Sequence, residues 1–166
     1  RALAHRAHAF GMEIIAYDPF LKPEQVKHAE LVDLDTLFAR ADFISLHSVV
    51  TDANRNMINA DSIARMKKGV RIVNAARGAL IDEAALAEAI KSGQVAGAAL
   101  DVYAEEPPKA DNPLVNLAGV VHTPHLAASS EEAQVAVAIE AAELIAAALL
   151  KNEFANVVNA DALKKL

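Results

Sequence analysis

The sequence predicts an α/β protein built on a doubly wound parallel sheet. Short β-branched or Leu-rich runs alternate with helical stretches, the rhythm of parallel strands joined by crossover helices. Apolar residues make up 54% of the 166-residue chain, yet 37 residues are Ala and aromatics reach only 4%, which suits helices laid close against a sheet. A chain of this length buries roughly 70% of its unfolded surface, enough for one core.

In chain order, residues 1–10 read as a helix closed by Gly11, which can take the left-handed conformation. Met12 to Tyr17 is a strand that delivers Asp18 at its end. After Pro19 and Pro23, Leu31 and Val32 form a short strand, Asp35 to Ala41 one or two helical turns, and Asp42 to Leu46 the next strand. Asp61 to Met66 is a short helix stopped near Gly69. Val70 to Asn74 is a strand, Asp82 to Lys91 a helix, and Val95 to Val102 another strand. Pro107, Pro108 and Pro113 mark a loop. Val120 to His122 is the last strand, and Ser129 or Ser130 caps a helix running to about Leu150, with acids in its first turn.

Sixteen basic against twenty-two acidic residues give a net charge of −6. No run of Lys and Arg could neutralise phosphates along a duplex, so nucleic acid is not expected as a partner. With no Cys there is no disulfide framework, thiolate nucleophile or zinc ribbon. The longest apolar run, Leu144 to Leu150, is too short to cross a bilayer, and no secretory signal is visible. A cytoplasmic protein without membrane contact is the expectation.

Several residues could carry chemistry. A strand ending in an acid, as Ile14-Ile15-Ala16-Tyr17-Asp18 does, matches the second strand of a dinucleotide-binding βαβ unit, where the carboxylate accepts hydrogen bonds from the adenosine ribose. On its own, an acid after a strand is most often a solvated turn residue, and Asp18 needs its context to be read otherwise. The glycine-rich turn belongs about 20 residues earlier. That count runs off the chain before Arg1, so a Rossmann-like sheet lacking its first strand and glycine loop is expected here. In the strand order 3-2-1-4-5-6 the first strand is central, and its loss leaves two neighbours unpaired.

Arg77 closes Asn74-Ala75-Ala76-Arg77-Gly78 at the carboxyl end of a strand, the edge where open α/β sheets bind ligands. Its guanidinium matches a carboxylate bidentately; the plainer reading pairs it with Asp82 or Glu83. Asp101 to Pro108 places three acids after another strand, with Pro107 restricting how Glu106 is presented. His125 lies where a strand leads into a helix, and imidazole exchanges protons near neutral pH. His5 with His8, and His122 with His125, are spaced as ligand pairs, but no third ligand with suitable spacing accompanies either, so no metal is expected. An Arg, a Glu and a His leaving one sheet edge form a set suited to hydride transfer to or from a 2-hydroxy acid.

From Arg1 to about Asn159 the chain resembles the D-isomer-specific 2-hydroxyacid dehydrogenases. The likeness lies in Arg1-Ala2-Leu3-Ala4, Tyr17-Asp18-Pro19, Leu46-His47-Ser48 through Thr51, Val73 to Gly78, Asp101 to Pro108 and Thr123-Pro124-His125-Leu126. The resemblance implies Arg77 as the substrate-carboxylate ligand, Glu106 as the partner of the catalytic histidine and His125 as the proton donor in reduction. It implies NAD contacts from Asp18, Ser48, Ala75, Ala76, Arg77, Asp101, His125 and Ala128, with the acid at Asp18 disfavouring a 2′-phosphate. It further implies a small 2-hydroxy or 2-oxo acid as substrate and a homo-oligomer formed through the cofactor domain. Glu105 to Pro108, Asn112-Pro113-Leu114 and Ser129 to Gln134 are similar to the phosphoglycerate branch. Val49, Ala127 and Ser130 depart from the usual Pro, Gly and Thr without removing a catalytic group.

Residues 1–155 are therefore expected to form a partial NAD-binding domain, and residues 156–166 a return segment toward a substrate or regulatory domain outside this chain. Alone, the chain is expected to be inactive and to bind NAD weakly, since the phosphate loop is absent. Three rival expectations stand beside the phosphoglycerate reading: another dehydrogenase of the family, such as one acting on glyoxylate, hydroxypyruvate or lactate; a non-catalytic NAD-binding scaffold; and an intertwined assembly covering the open strand edges.

Overall fold

The computed structural model describes residues 1–157, so most of the predicted return segment lies outside the described residues. The elements follow in the order α1 (Ala2–Ala9), β1 (Ile15–Ala16), β2 (Glu30–Leu31), α2 (Leu34–Arg40), β3 (Phe43–Leu46), α3 (Ala60–Ala64), β4 (Val70–Asn74), α4 (Glu83–Lys91), β5 (Val95–Leu100), β6 (Val120–His122) and α5 (Glu131–Lys151). Contacts divide the chain into one compact unit, Arg1–Pro124, and a second that starts at His125.

Within the first unit, β3-β4-β5-β6 form a parallel sheet, and β1-β2 form a separate parallel pair. Register runs from Phe43↔Arg71 to Leu46↔Asn74, from Val70↔Val95 to Asn74↔Leu100, and from Ala98↔Val120 to Leu100↔His122. Since all four strands are parallel, their carboxyl ends share one edge. Ile44 and Leu46 on β3 and Val70 and Ile72 on β4 point into the core, alternating with exposed Phe43 and Val73. Phe38 of α2, Ile63 of α3 and Leu86 of α4 pack on that covered face, whose centre also holds Leu80, Val95 and Leu114.

Short polar residues start the helices: Asp33 accepts the Thr36 N–H, Asn59 and Ser62 cap each other, Asp82 accepts the Ala85 N–H, and Ser130 accepts the Ala133 N–H. Of the two serines offered by the sequence, Ser130 is the cap of α5.

One expectation is corrected. The strand expected from Met12 to Tyr17 is laddered only over Ile15–Ala16, against Glu30–Leu31, because a run of apolar residues becomes strand only where a neighbour accepts its hydrogen bonds. Helix α5 spans Glu131–Lys151, close to the expected end at about Leu150, and its apolar character extends well beyond the run Leu144 to Leu150. Its 21 residues include a stretch of mean hydropathy 1.8, enough to cross a membrane by length and composition alone. Val, Ile and Leu supply most of that hydropathy, with Ala filling the positions between them, and a helix packing on protein can have the same composition.

Candidate active site

Three loops at the carboxyl edge of the four-stranded sheet carry most of the predicted residues. Ser48 follows β3 and is exposed, beside His47, whose Nε2 lies 2.9 Å from the Ser45 Oγ. Burial lowers the His47 pKa.

The loop after β4 is organised by Asn74, a residue to which sequence reasoning gave no role of its own. Its buried side chain donates to the Arg77 carbonyl at 2.9 Å and accepts the Ala76 N–H at 3.0 Å, tying the middle and the end of the Ala75–Arg77 segment to the strand. Polarity in an otherwise β-branched run was the available signal, since a buried amide must find partners. Arg77 is exposed, and its Nη1 donates to the Ala76 carbonyl at 2.6 Å. The plainer reading of Arg77 does not hold. Among the described residues it makes no ion pair with Asp82, which caps α4, or with Glu83, which accepts the Ala104 N–H at 2.7 Å and the Asn112 amide at 2.6 Å.

Gly78 joins this loop to the next. A Cβ there would lie 1.9 Å from the Tyr103 carbonyl carbon and 2.4 Å from the Ala104 nitrogen, so the two backbones meet where only glycine fits. The segment bearing Arg77 and the segment bearing Glu106 are thereby held together.

After β5, Asp101 is buried and accepts the Thr123 hydroxyl, while its own N–H donates to the Asn74 carbonyl at 2.9 Å. Glu106 accepts the Tyr103 N–H at 3.0 Å through Oε1 and is exposed. The Tyr103 ring is buried, and burial with the nearby Glu83 charge raises its phenol pKa. Its hydroxyl meets the His122 Nδ1, a pairing the sequence did not suggest. His125 opens the second unit at φ +55° and is exposed. In that unit Ala128 gives its carbonyl to the Gln134 amide at 2.9 Å.

Asp18, half-buried just after β1, accepts the Phe20 N–H at 2.9 Å. A carboxylate has about four acceptor positions, so this turn contact is compatible with holding ribose hydroxyls, and the residue suits the adenosine half of a dinucleotide. His28 supplies a neighbour the ligand spacing had not revealed: its ring centroid lies 5.4 Å from that of His5 and 4.8 Å from that of His8. Even so, among the described residues no group of three His, Cys, Asp or Glu side chains could hold a metal ion.

Comparison with known proteins identifies the architecture. Residues 1–127 match the D-isomer specific 2-hydroxyacid dehydrogenase, NAD binding domain. A hydroxypyruvate reductase from Thermotoga maritima is 55% identical over 145 residues, 86% of this chain and 47% of that protein. A D-3-phosphoglycerate dehydrogenase from Methanocaldococcus jannaschii is 52% identical over 158 residues, 93% of this chain and 30% of that protein. The chain thus spans about half or less of the length of these relatives. The crystal structure of a glyoxylate reductase from Paecilomyes thermophila superposes with a TM-score of 0.87 at 38% identity, over 96% of this chain and 48% of that one. With its parallel sheet, its acid after β1 and its match over residues 1–127, the chain belongs to the D-isomer-specific 2-hydroxyacid dehydrogenases and corresponds to their NAD-binding domain.

Proposed function

We propose that this chain is the cofactor-binding part of an NAD-dependent oxidoreductase that interconverts a D-2-hydroxy acid and its 2-oxo acid. The observation that carries this reading is the set Arg77, Glu106 and His125, all inside the matched span, on the loops that leave β4, β5 and β6. When bound, nicotinamide would accept the hydride that leaves C2 of the hydroxy acid and would return it to C2 of the oxo acid in the reverse direction. His125 takes the hydroxyl proton in oxidation and returns it in reduction, Glu106 stabilises the charged imidazole, and Arg77 anchors the substrate carboxylate. Asp18 holds the adenosine ribose and disfavours a 2′-phosphate; Ser48, Ala75, Ala76, Asp101 and Ala128 line the cofactor.

3-Phosphoglycerate, oxidised in the first step of serine synthesis, is the preferred substrate, supported by the likeness of Glu105 to Pro108 and Asn112 to Leu114 to that branch. Hydroxypyruvate or glyoxylate reduction is the second reading, favoured by the relative at 55% identity. The protein works as a cytoplasmic homo-oligomer through this domain, a reading supported by exposed Val137, Ile145 and Leu149 on α5.

Assay of the full-length protein with NADH against a panel of 2-oxo acids tests the proposal. His125→Ala should cut kcat at least 100-fold, and Arg77→Ala should raise the substrate KM at least 10-fold, in line with the usual size of such terms. Unchanged kinetics in both variants would overturn the assigned roles. NAD binding without turnover of any 2-oxo acid would favour a scaffold instead.

A further inference from the structure

We propose that Tyr103 and His122 form a side-chain latch across the carboxyl ends of β5 and β6 that fixes the exit of the segment 123–125 and so positions His125. The inference rests on the dehydrogenase reading for its catalytic consequence, though not for its structural one.

β6 is the edge strand of the four-stranded sheet, and only three of its residues pair with β5, ending at Leu100↔His122. One further backbone hydrogen bond, from the Thr123 N–H to the Leu100 carbonyl at 3.0 Å, extends that ladder. So short an edge strand frays readily, and side chains must set the direction in which the chain departs. Two do so. Thr123 donates its hydroxyl to Asp101, and His122 Nδ1 meets the Tyr103 hydroxyl, their rings stacked at 27° with centroids 5.9 Å apart.

The two partners in the latch are unequal. Tyr103 is buried and anchored from several directions: its N–H donates to Glu106, its carbonyl carbon fills the space left by Gly78, and the following Ala104 N–H is held by Glu83, which also grips Asn112. His122 is exposed at a strand end. Tyr103 is therefore the fixed post and His122 the group it locates. Burial raises the phenol pKa, and a phenol hydroxyl both donates and accepts, so it can pair with the His122 Nδ1 in either tautomer of the ring. His125 follows three residues later in the chain. A proton donor displaced by about 1 Å can lose on the order of 100-fold in rate, so a contact that holds its backbone should act on kcat.

The test uses the full-length protein. Tyr103→Phe keeps the ring stack and removes only the hydroxyl; His122→Val keeps a strand-forming residue and removes the ring nitrogen; His122→Asn puts an amide, which can donate or accept, near where Nδ1 stood. The latch predicts that Tyr103→Phe and His122→Val each lower kcat about 10-fold with the KM for NADH within about 2-fold. The double variant should be no slower than either single one, and His122→Asn should restore most of the rate. Amide hydrogen exchange over residues 122–126 should rise in Tyr103→Phe and return to the parent level in His122→Asn. Unchanged kcat and unchanged exchange in Tyr103→Phe, or a double variant whose losses multiply, would overturn the latch. Should the unaltered protein turn over no 2-oxo acid, the dehydrogenase reading fails, and the exchange measurement alone decides the latch.

Discussion

The β1-β2 pair and the four-stranded sheet are built from similar residues, yet they differ sharply in order of packing. β3, β4 and β5 have neighbours along their length and place Ile44, Ile72 and Val95 in the core. β1 and β2 pair over two residues, and none of their residues is fully buried, although Ile15 touches the core from its rim. Ile14-Ile15-Ala16-Tyr17 has as much strand character as Arg71-Ile72-Val73-Asn74. The difference lies in neighbours, since cross-strand pairs and the ladder are what stabilise a sheet residue by residue.

The largest expected effect lies where the well-ordered region is tightest. Gly78→Ala places a Cβ 1.9 Å from backbone that cannot move alone. It should lower unfolding free energy by about 4 kcal/mol or abolish the cooperative transition in urea. A loss under about 1 kcal/mol would mean the two loops are not locked together.

Next in size is a direct contrast between regions. Ile72→Ala, at a fully buried site, should cost about 2–5 kcal/mol, whereas Ile15→Ala should cost about 1 kcal/mol because half-buried area returns less. Equal losses by denaturant titration would show that β1 is as well packed as β4.

The smallest effect belongs to Arg40, which bridges Glu13 and Glu30 at 2.8 and 2.9 Å and so clasps the ends of β1 and β2. These groups are exposed, and the Tm loss of Arg40→Ala at neutral pH should be smaller than that of Ile15→Ala. Hydrogen bonding to Arg40 lowers the Glu30 pKa in the fold. Its stabilising share is therefore present above the unfolded carboxyl pKa and disappears as pH falls through the lowered folded value. Thermal scans should find parent and variant converging in acid; a gap that widens there would reverse the assignment.

The strand ends at Asn74 and His122, a serine cap at 129 or 130 and the loop of Pro107, Pro108 and Pro113 were legible because each rests on local chemistry: β-branched runs, short side chains that hold orphan N–H groups, and prolines that end regular structure. The extent of β1 was not, because ladder length depends on a partner elsewhere in the chain. Among the candidate residues, Arg77, Glu106 and His125 could be picked out by chemical type and by their place after strands. Asn74 and Tyr103 could not, because an amide or a phenol takes on a positioning role only through the loop or strand it reaches.

By itself the sequence determined the alternation of strands and helices, the acid after β1 and the types of side chain at the carboxyl edge, all of which follow from periodicity and local stereochemistry. Only the tertiary structure decided that Gly78 lies against Tyr103, that His28 stands beside His5 and His8, and that Tyr103 meets His122. Contacts between residues far apart in the chain are selected by packing and by the need of buried polar groups for partners, and neither leaves a periodic trace in the sequence.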